Sequence, residues 1–452
     1  MFFLLFSIVW QEKDGVASNL LFIYSQFSKF NVLCKEGCKI ANRFVIIGNS
    51  AAGIAAAETL RHLEPGAPIT VVTEENHPPY SRCRITEVIA RRAGLADIGY
   101  RSPSFYTGKG IELRQGARVV ALEPANRRVI LDTQEVMPYD RLLLATGARP
   151  APAGVPGEEL AGVFTLRSYD QARAIAQAAD QARHAVVVGG GLVGLKAAIA
   201  LRQRNLRVTV VVKSSHILMR QLDEESAALV EGELTAAGID FIYGQNPAAC
   251  SARPGTNAIE SVVLENGREI AANLVLVAKG VRPNSELLRA AGGETGAGIK
   301  ISRYMETSLP GVYAAGDCVE VTDLVSGRPA PSALWTLAVE QGRYAACNMA
   351  GRRKAYPSPL TRLNSAQFGR IPFIAAGSLE DGEEFIVRRQ AGGIYQKLAL
   401  QRDRLVGYIL TGCLTGAGVY TALIKAQRPL GGLRSELLKG TLSAADLLFN
   451  PA

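Results

Sequence analysis

An α/β fold, with two doubly wound units and a small α+β unit at the C-terminus, is what this 452-residue sequence predicts. Three observations carry the prediction. The stretches "FVIIGNSAAGIAAAETL" (44–60) and "VVVGGGLVGLKAAIAL" (186–201) share one order: apolar strand, glycine-rich turn, alanine-rich helix. Each leads into a second strand, "PITVVTEE" and "LRVTVVVK", so each reads as a βαβ unit. Beyond "YPSPLTR", short strands such as "EFIVRR", "YQKLALQ" and "LVGYILTG" dominate, with one helix near 418–427 and another at the end.

Taken in order, residues 1–42 mix apolar bursts and polar breaks without a period and read as an extension outside the fold. Their opening run, "MFFLLFSIVW", is half the roughly 20 residues a membrane span needs. It also lacks the basic start and small-residue cleavage site of a signal peptide. No membrane span is expected. The first βαβ unit begins at Phe44. "RLLLATGARPAPAGVPG" is a strand followed by a Gly/Pro-rich crossing into the second unit. The chain then passes "LVLVAKGVRPN" (274–284) and "TSLPGVYAAGDCVE" (307–320) to a helical segment at 333–351. The boundaries that follow are 43–152 with 284–352 for the first unit, 153–283 for the second and 357–452 for the third.

Composition sets limits on function. The chain is 48% hydrophobic and 20% charged, which is ordinary for a globular protein. Seven cysteines without a CxxC argue for a reducing, cytoplasmic compartment over a disulfide framework. Four separated histidines give no metal-ligand set. The net charge of +9 is uneven: from Arg352 onward there are 14 Lys/Arg against 7 Asp/Glu. That excess is either a solvated basic face or a docking surface for an acidic partner. Nucleic acid is not the expected partner.

The glycines are the chemistry-bearing positions. Gly48 and Gly189 make the tight turn off the strand. Ser50 and Gly191 stand where backbone approaches a pyrophosphate. Gly53 and Gly194 let helix pack on strand. The helix starts, Ala51 and Ala52 in one unit and Leu192 and Val193 in the other, offer free N–H groups to phosphates. Both units therefore read as Rossmann-like dinucleotide-binding domains. Glu74, closing "ITVVTEE", is placed to accept from ribose hydroxyls. The second unit has Lys213, Ser214 and Ser215 there instead, which tolerates a 2′-phosphate and leans toward NADPH or toward no strong preference between NADPH and NADH.

"FVIIGNSAAG", "YDRLLLATGARP", "VVVGGGLVGLKAA", "LVLVAKGVRPN" and "GVYAAGDCVE", in this order, resemble the two-dinucleotide flavoprotein superfamily of pyridine-nucleotide-disulfide oxidoreductases from residue 44 to about 352. The resemblance implies FAD on the first unit and NAD(P)H on the second. It implies that Asp317 holds the flavin ribityl chain, that Ala145, Thr146 and Gly147 contact FAD, and that Gly280 lies by the nicotinamide. "HPPYSRCRIT", "ALWTLAVEQGRYAACNMAG" and "LNSAQFGRIPFIAAG" are similar to NADH:rubredoxin reductases, nitrite-reductase-type flavoproteins and flavoprotein subunits of anaerobic complexes such as phenylglyoxylate dehydrogenase. That branch implies Arg82 and Trp335 near the FAD. Two positions depart from it: Cys83 replaces a common proline, and Lys196 a common glutamate.

Three functions remain open from the sequence. One is electron transfer from NAD(P)H through FAD to an acidic rubredoxin, ferredoxin or iron–sulfur subunit. The second is a thiol, persulfide or peroxide reductase using Cys83, whose thiolate Arg82 would favour. The third is a flavin-bound interaction subunit without turnover. For the first, Arg352, Arg353, Lys354, Arg388 and Arg389 are the candidate docking patch.

Overall fold

The computed structural model describes residues 42–449. The reading of the N-terminal stretch as an extension, with its Cys34 and Cys38, falls on positions outside the described residues, Asn42 excepted.

Along the first unit run β1 (Phe44–Ile47), α1 (Ala51–Leu63), β2 (Ile69–Thr73), a short helix α2 (Ile85–Ile89), β3 (Glu112–Gln115) and β4 (Arg141–Leu144). All four residues of β1 and all five of β2 are buried. Such unbroken Val/Ile runs belong to parallel strands covered on both faces. The second unit contributes β5 (Val163–Thr165), α3 (Tyr169–Ala178), β6 (His184–Val188), α4 (Leu192–Arg202), β7 (Arg207–Val212), α5 (Glu224–Ala236), β8 (Ile239–Tyr243) and β9 (Leu274–Val277). The chain then returns to the first sheet with β10 (Val312–Ala314) and α6 (Trp335–Met349). Five further strands follow: β11 (Leu363–Phe368), β12 (Ile371–Gly377), β13 (Glu384–Gln390), β14 (Ile394–Gln401) and β15 (Arg404–Thr411), then α7 (Ala417–Ala426).

The first sheet has the order β10-β4-β1-β2-β3 and the second β8-β7-β6-β9-β5. Every pair in both is parallel. Counted from β1 or from β6, each sheet reads 3-2-1-4 plus one edge strand. Strand order therefore reverses between β1 and β4 in one and between β6 and β9 in the other. Open parallel sheets bind ligands in the crevice at that reversal, outside the carboxyl ends of the strands. Two three-stranded antiparallel ribbons, Val119–Glu123 with Arg128–Leu131 and Val136–Pro138, and Pro247–Ala252 with Ile259–Leu264 and Glu269–Ala271, were not legible as strands in the sequence.

The third sheet is antiparallel, ordered β11-β12-β15-β14-β13. Each of its faces carries a buried core over the central strands. Leu398, Leu400, Tyr408 and Leu410 pack on Tyr420, Leu423 and Ile424 of α7. Tyr395 and Ile409, on the opposite face by the two-residue period, join Phe368 and Phe373 in one core with Val230 and Leu234 of α5. The small third unit is thus fixed to the second unit through α5.

A polar bolt reinforces that contact. Asp223 caps α5, accepting from the Ser226 N–H at 3.1 Å. Its other oxygen accepts from the Tyr395 hydroxyl at 2.6 Å and the Lys397 ammonium at 3.0 Å. Burial opposes the charge of Asp223, but the bonds from Ser226, Tyr395 and Lys397 hold its pKa below the usual carboxylate range. A depressed folded-state pKa contributes stability above the unfolded value of about 3.9. That stability is lost as pH falls through the folded value. Asp223→Asn is expected to cost about 2 kcal/mol at neutral pH, as for lost hydrogen bonds to a charged group. Thermal melts of both proteins from neutral to acid should converge as pH drops below the carboxylate range. A gap that persists unchanged in acid would remove the charge from the explanation.

Candidate functional site

The two crevices have the same backbone. Gly48 sits at φ +117° and Gly189 at φ +119°. A Cβ on Gly48 would lie 2.7 Å from the Ala145 carbonyl carbon, and one on Gly189 2.9 Å from that of Ala278. Ala145 and Ala278 follow β4 and β9, so each first glycine closes the turn against the strand across the reversal. The third glycines repeat the match. A Cβ on Gly53 would be driven into the Gly48 carbonyl, and one on Gly194 into the Gly189 carbonyl. The middle positions, Ser50 and Gly191, are the N-cap residues of α1 and α4. Neither helix has a side-chain cap bond or an acidic residue in its first turn. The Ser50 hydroxyl is placed where it could cap and does not. By contrast α3 has a full capping box from Ser168 and Gln171, and α5 has Asp223. The positive poles of α1, starting at Ala51 and Ala52, and of α4, starting at Leu192 and Val193, are left bare, which is the arrangement that receives phosphate.

Around the first cradle, Tyr106 donates its hydroxyl to Asn49 and so fixes the loop between Gly48 and Ser50. Burial pushes the Tyr106 phenol up to about 12, so it stays a donor. A cleft beside the cradle is lined by Asn49, Ser50, Thr73, Glu75 and Arg82, among others. The carboxylate in it corrects the sequence reading. Glu74 is not among the residues lining this cleft; its side chain is 70% exposed and 3.9 Å from Arg118. Glu75, 22% exposed, is the acid that faces the cleft, held by Arg82 and by the Tyr80 hydroxyl. β2 ends at Thr73, so both acids lie just beyond the strand.

At the other end of the first crevice, the segment 145–147 is pinned by a residue that sequence reasoning missed. Asn284 donates from its backbone N–H to the Gly147 carbonyl (2.9 Å) and from its side chain to the Thr146 carbonyl (2.9 Å). The Thr146 hydroxyl donates back to the Asn284 carbonyl at 2.8 Å. Gln341, fully buried on α6, accepts from the Gly316 N–H at 2.8 Å and so holds the turn that presents Asp317. Asp317 is 16% exposed and accepts from Arg167 at 2.7 Å. Trp335 opens α6 and packs edge-on against Tyr100, ring centres 5.0 Å apart.

At the second cradle, the loop after β7, which begins with Lys213, is docked by the Leu218 N–H on the Gly190 carbonyl (2.8 Å). Lys213 is exposed, and the Ser214 hydroxyl donates to the His216 carbonyl at 2.8 Å. Gly280, at φ +103°, has open space in front of its Cα.

Cys83 lies in the Arg82–Arg84 turn and is exposed. The expectation that Arg82 favours its thiolate is corrected. Although Cys83 reaches solvent, desolvation by the protein crowded around it and the Asp317 charge raise the thiol pKa, outweighing Lys196 and Arg167, which lower it. Arg82 itself is committed to Glu75, Tyr80 and the Arg167 carbonyl. The basic patch is corrected too. Arg389 is paired with Glu225 at 2.6 Å. Arg388 is spent on the Leu437 and Leu438 carbonyls and Gln396. Arg352 stands 3.5 Å from the Leu63 carbonyl, at the end of α1 remote from the cradle, and Arg353 covers Tyr304. Lys354 lies over the Tyr344 ring at 4.8 Å, so each of the five already has a partner within the chain. Among the described residues no group of three or more His, Cys, Asp or Glu could hold a metal ion. No helix among them is long and apolar enough to cross a membrane.

Comparison with known proteins agrees with this geometry. The chain is 33% identical, over 91% of its length and 98% of the relative's, to the anthranilate 1,2-dioxygenase system ferredoxin–NAD(+) reductase component of Burkholderia cepacia. It is 30% identical over 82% of its length to the assimilatory nitrate reductase electron transfer subunit of Bacillus subtilis, and spans 47%, about half, of that protein. Its fold matches putidaredoxin reductase in a covalent complex with putidaredoxin, with a TM-score of 0.80 at 27% identity, over 90% of this chain and 99% of that one. The family model for pyridine nucleotide-disulphide oxidoreductases matches residues 42–342, and the chain belongs to that family.

Proposed function

We propose that this chain is an FAD-dependent NAD(P)H oxidoreductase that delivers electrons to a rubredoxin, a ferredoxin or an iron–sulfur subunit of a larger complex, in the cytoplasm. The observation that carries the reading is the duplicated cradle: two bare helix N-termini behind two turns that only glycine can make. We assign FAD to the unit of 43–152 and 284–352, NAD(P)H to 153–283, and the small unit to 357–452. The first crevice suits FAD, with Glu75 at the ribose end and Asp317 and 145–147 beyond the phosphates. The second suits a pyridine nucleotide, and Lys213 with Ser214 and Ser215 suits a 2′-phosphate.

Bound FAD would supply the exchange between a hydride and single electrons. The protein's part is orientation. Ser50, Ala51, Ala52 and Gly53 would offer N–H groups to one pyrophosphate, and Gly191, Leu192, Val193 and Gly194 to the other, while Gly48 and Gly189, whose own N–H groups are taken by the Val72 and Val211 carbonyls, make the turns that bring the backbone close. Gly280 leaves room for the nicotinamide, while Arg82 and Trp335 border the flavin crevice. Arg388 and Arg389 are engaged within the chain, which leaves Arg352, Arg353 and Lys354 as the part of the basic patch that pairs with no acidic side chain among the described residues. The ferredoxin reductase and putidaredoxin reductase relatives support this class of acceptor.

Anaerobic addition of NADPH or NADH to the yellow protein should bleach it. Adding a ferredoxin or rubredoxin should restore the colour with reduction of the carrier. Cys83→Ser should keep carrier reduction within about twofold, because the thiol pKa is raised and its thiolate is not prepared for attack. Loss of turnover in Cys83→Ser with flavin still bound would transfer the function to the thiol. A flavin that neither nucleotide bleaches would leave only a binding role.

A further inference from the structure

We infer that Arg167, a residue of the second unit, is a positioning residue of the first unit's flavin crevice: it orients Asp317 and supplies a fixed positive charge there. The inference rests on the assignment of FAD to that crevice. Arg167 lies between β5 and α3, 150 residues before its partner in sequence, and nothing in its local pattern marks it.

Four contacts fix its direction. Its backbone N–H donates to the Gln171 side chain at 2.7 Å, and that same Gln171 belongs to the capping box of α3. Its carbonyl accepts from Arg82 at 2.9 Å. Its guanidinium donates to Asp317 at 2.7 Å, and one guanidinium nitrogen is 3.7 Å from where a Cβ on Gly147 would stand. The pair is only 25% and 16% exposed. Arg167 is therefore held at both ends of its backbone, with its charge on Asp317 and beside Gly147, two positions assigned to the cofactor. A surface arginine has no reason to be fixed in this way, and a purely structural ion pair has no reason to abut the segment 145–147.

Two consequences follow. The carboxylate of Asp317 has one oxygen turned by Arg167, which leaves the other free to accept from a ligand hydroxyl. Reduction adds negative charge to a bound flavin, and nearby fixed charge tunes how readily it does so. A cation in the crevice favours the reduced state, and an anion disfavours it.

The test uses the FAD-loaded full chain. Arg167→Gln should weaken FAD binding about tenfold, as for one lost charge-assisted hydrogen bond and the disorder of Asp317. It should also move the flavin midpoint potential to more negative values. Arg167→Lys should return the potential most of the way, since it returns the charge. Asp317→Asn should move the potential in the opposite direction, to more positive values. A structural role alone would lower the melting temperature of Arg167→Gln without separating these signs. If Arg167→Gln does not fold, Arg167→Met, which keeps side-chain length without the charge, takes its place with the same expected negative shift. Potentials that do not move, or that move the same way in Arg167→Gln and Asp317→Asn, overturn the inference. A wild-type chain that binds no FAD would overturn the functional assignment itself, which keeps the two failures apart.

Discussion

Gly53→Ala is expected to come through purification colourless. One methyl group is enough, because its carbon would be 3.0 Å from the Gly48 carbonyl carbon and closer still to the oxygen. Neither partner can yield cheaply. Gly48 is locked at φ +117° by the approach of the Ala145 carbonyl. α1 is backed on its far side by α6, whose Gly342 meets the Ala52 carbonyl with no room for a side chain. Relief therefore requires the start of α1 to lift from β1, carrying its free N–H groups away from the phosphates. Overpacking of this kind costs about 1–3 kcal/mol of stability. The larger loss is in binding, where two charge-assisted hydrogen bonds at about 1.5–3 kcal/mol each amount to 100-fold or more. The check is the ratio of flavin to protein absorbance after desalting, beside a melt showing that the chain still folds. A folded Gly53→Ala protein with one FAD per chain would refute the assignment of this cradle.

The duplicated cradle was legible because its requirement falls on single positions. Only glycine tolerates φ near +118° against a facing carbonyl, so the turns had to appear as letters in the sequence. The buried parallel strands were legible for a similar reason, as unbroken apolar runs in "FVII" and "HAVVV". Glu74 and Glu75 mark where this kind of reading ends. Which of two adjacent acids faces the cleft depends on where β2 stops and on Tyr80 and Arg82, five and seven residues further on. Arg167 and Asn284 were invisible because their partners lie 150 and 138 residues away, and only the folded chain brings them together. The charge count from Arg352 onward was correct and still misleading, since it cannot see that Glu225 already neutralises Arg389. The two antiparallel ribbons were missed because their strands run to six residues at most and mix exposed with buried positions.

Gly194→Ala should give the complementary protein, fully yellow yet not bleached by NADPH or NADH. The methyl would press on the Gly189 carbonyl and stand 3.3 Å from the Ala278 side chain, lifting the start of α4 as Gly53→Ala lifts α1. The first crevice has its own sheet, its own helix and its own glycines, so FAD is retained. Dithionite, which needs no cradle, should still bleach the flavin at the wild-type rate. The rate of reduction by NADPH should fall by about 100-fold or more, because a displacement near 1 Å of the group that orients a reactant costs about that much. Stopped-flow absorbance under anaerobic conditions separates the two reductants on one sample. The pair of variants then forms a cross: one loses colour, and the other keeps colour and loses its electron donor. Rapid bleaching of Gly194→Ala by NADPH would mean that the nucleotide enters elsewhere, and that the second of two nearly identical cradles holds something other than the hydride donor.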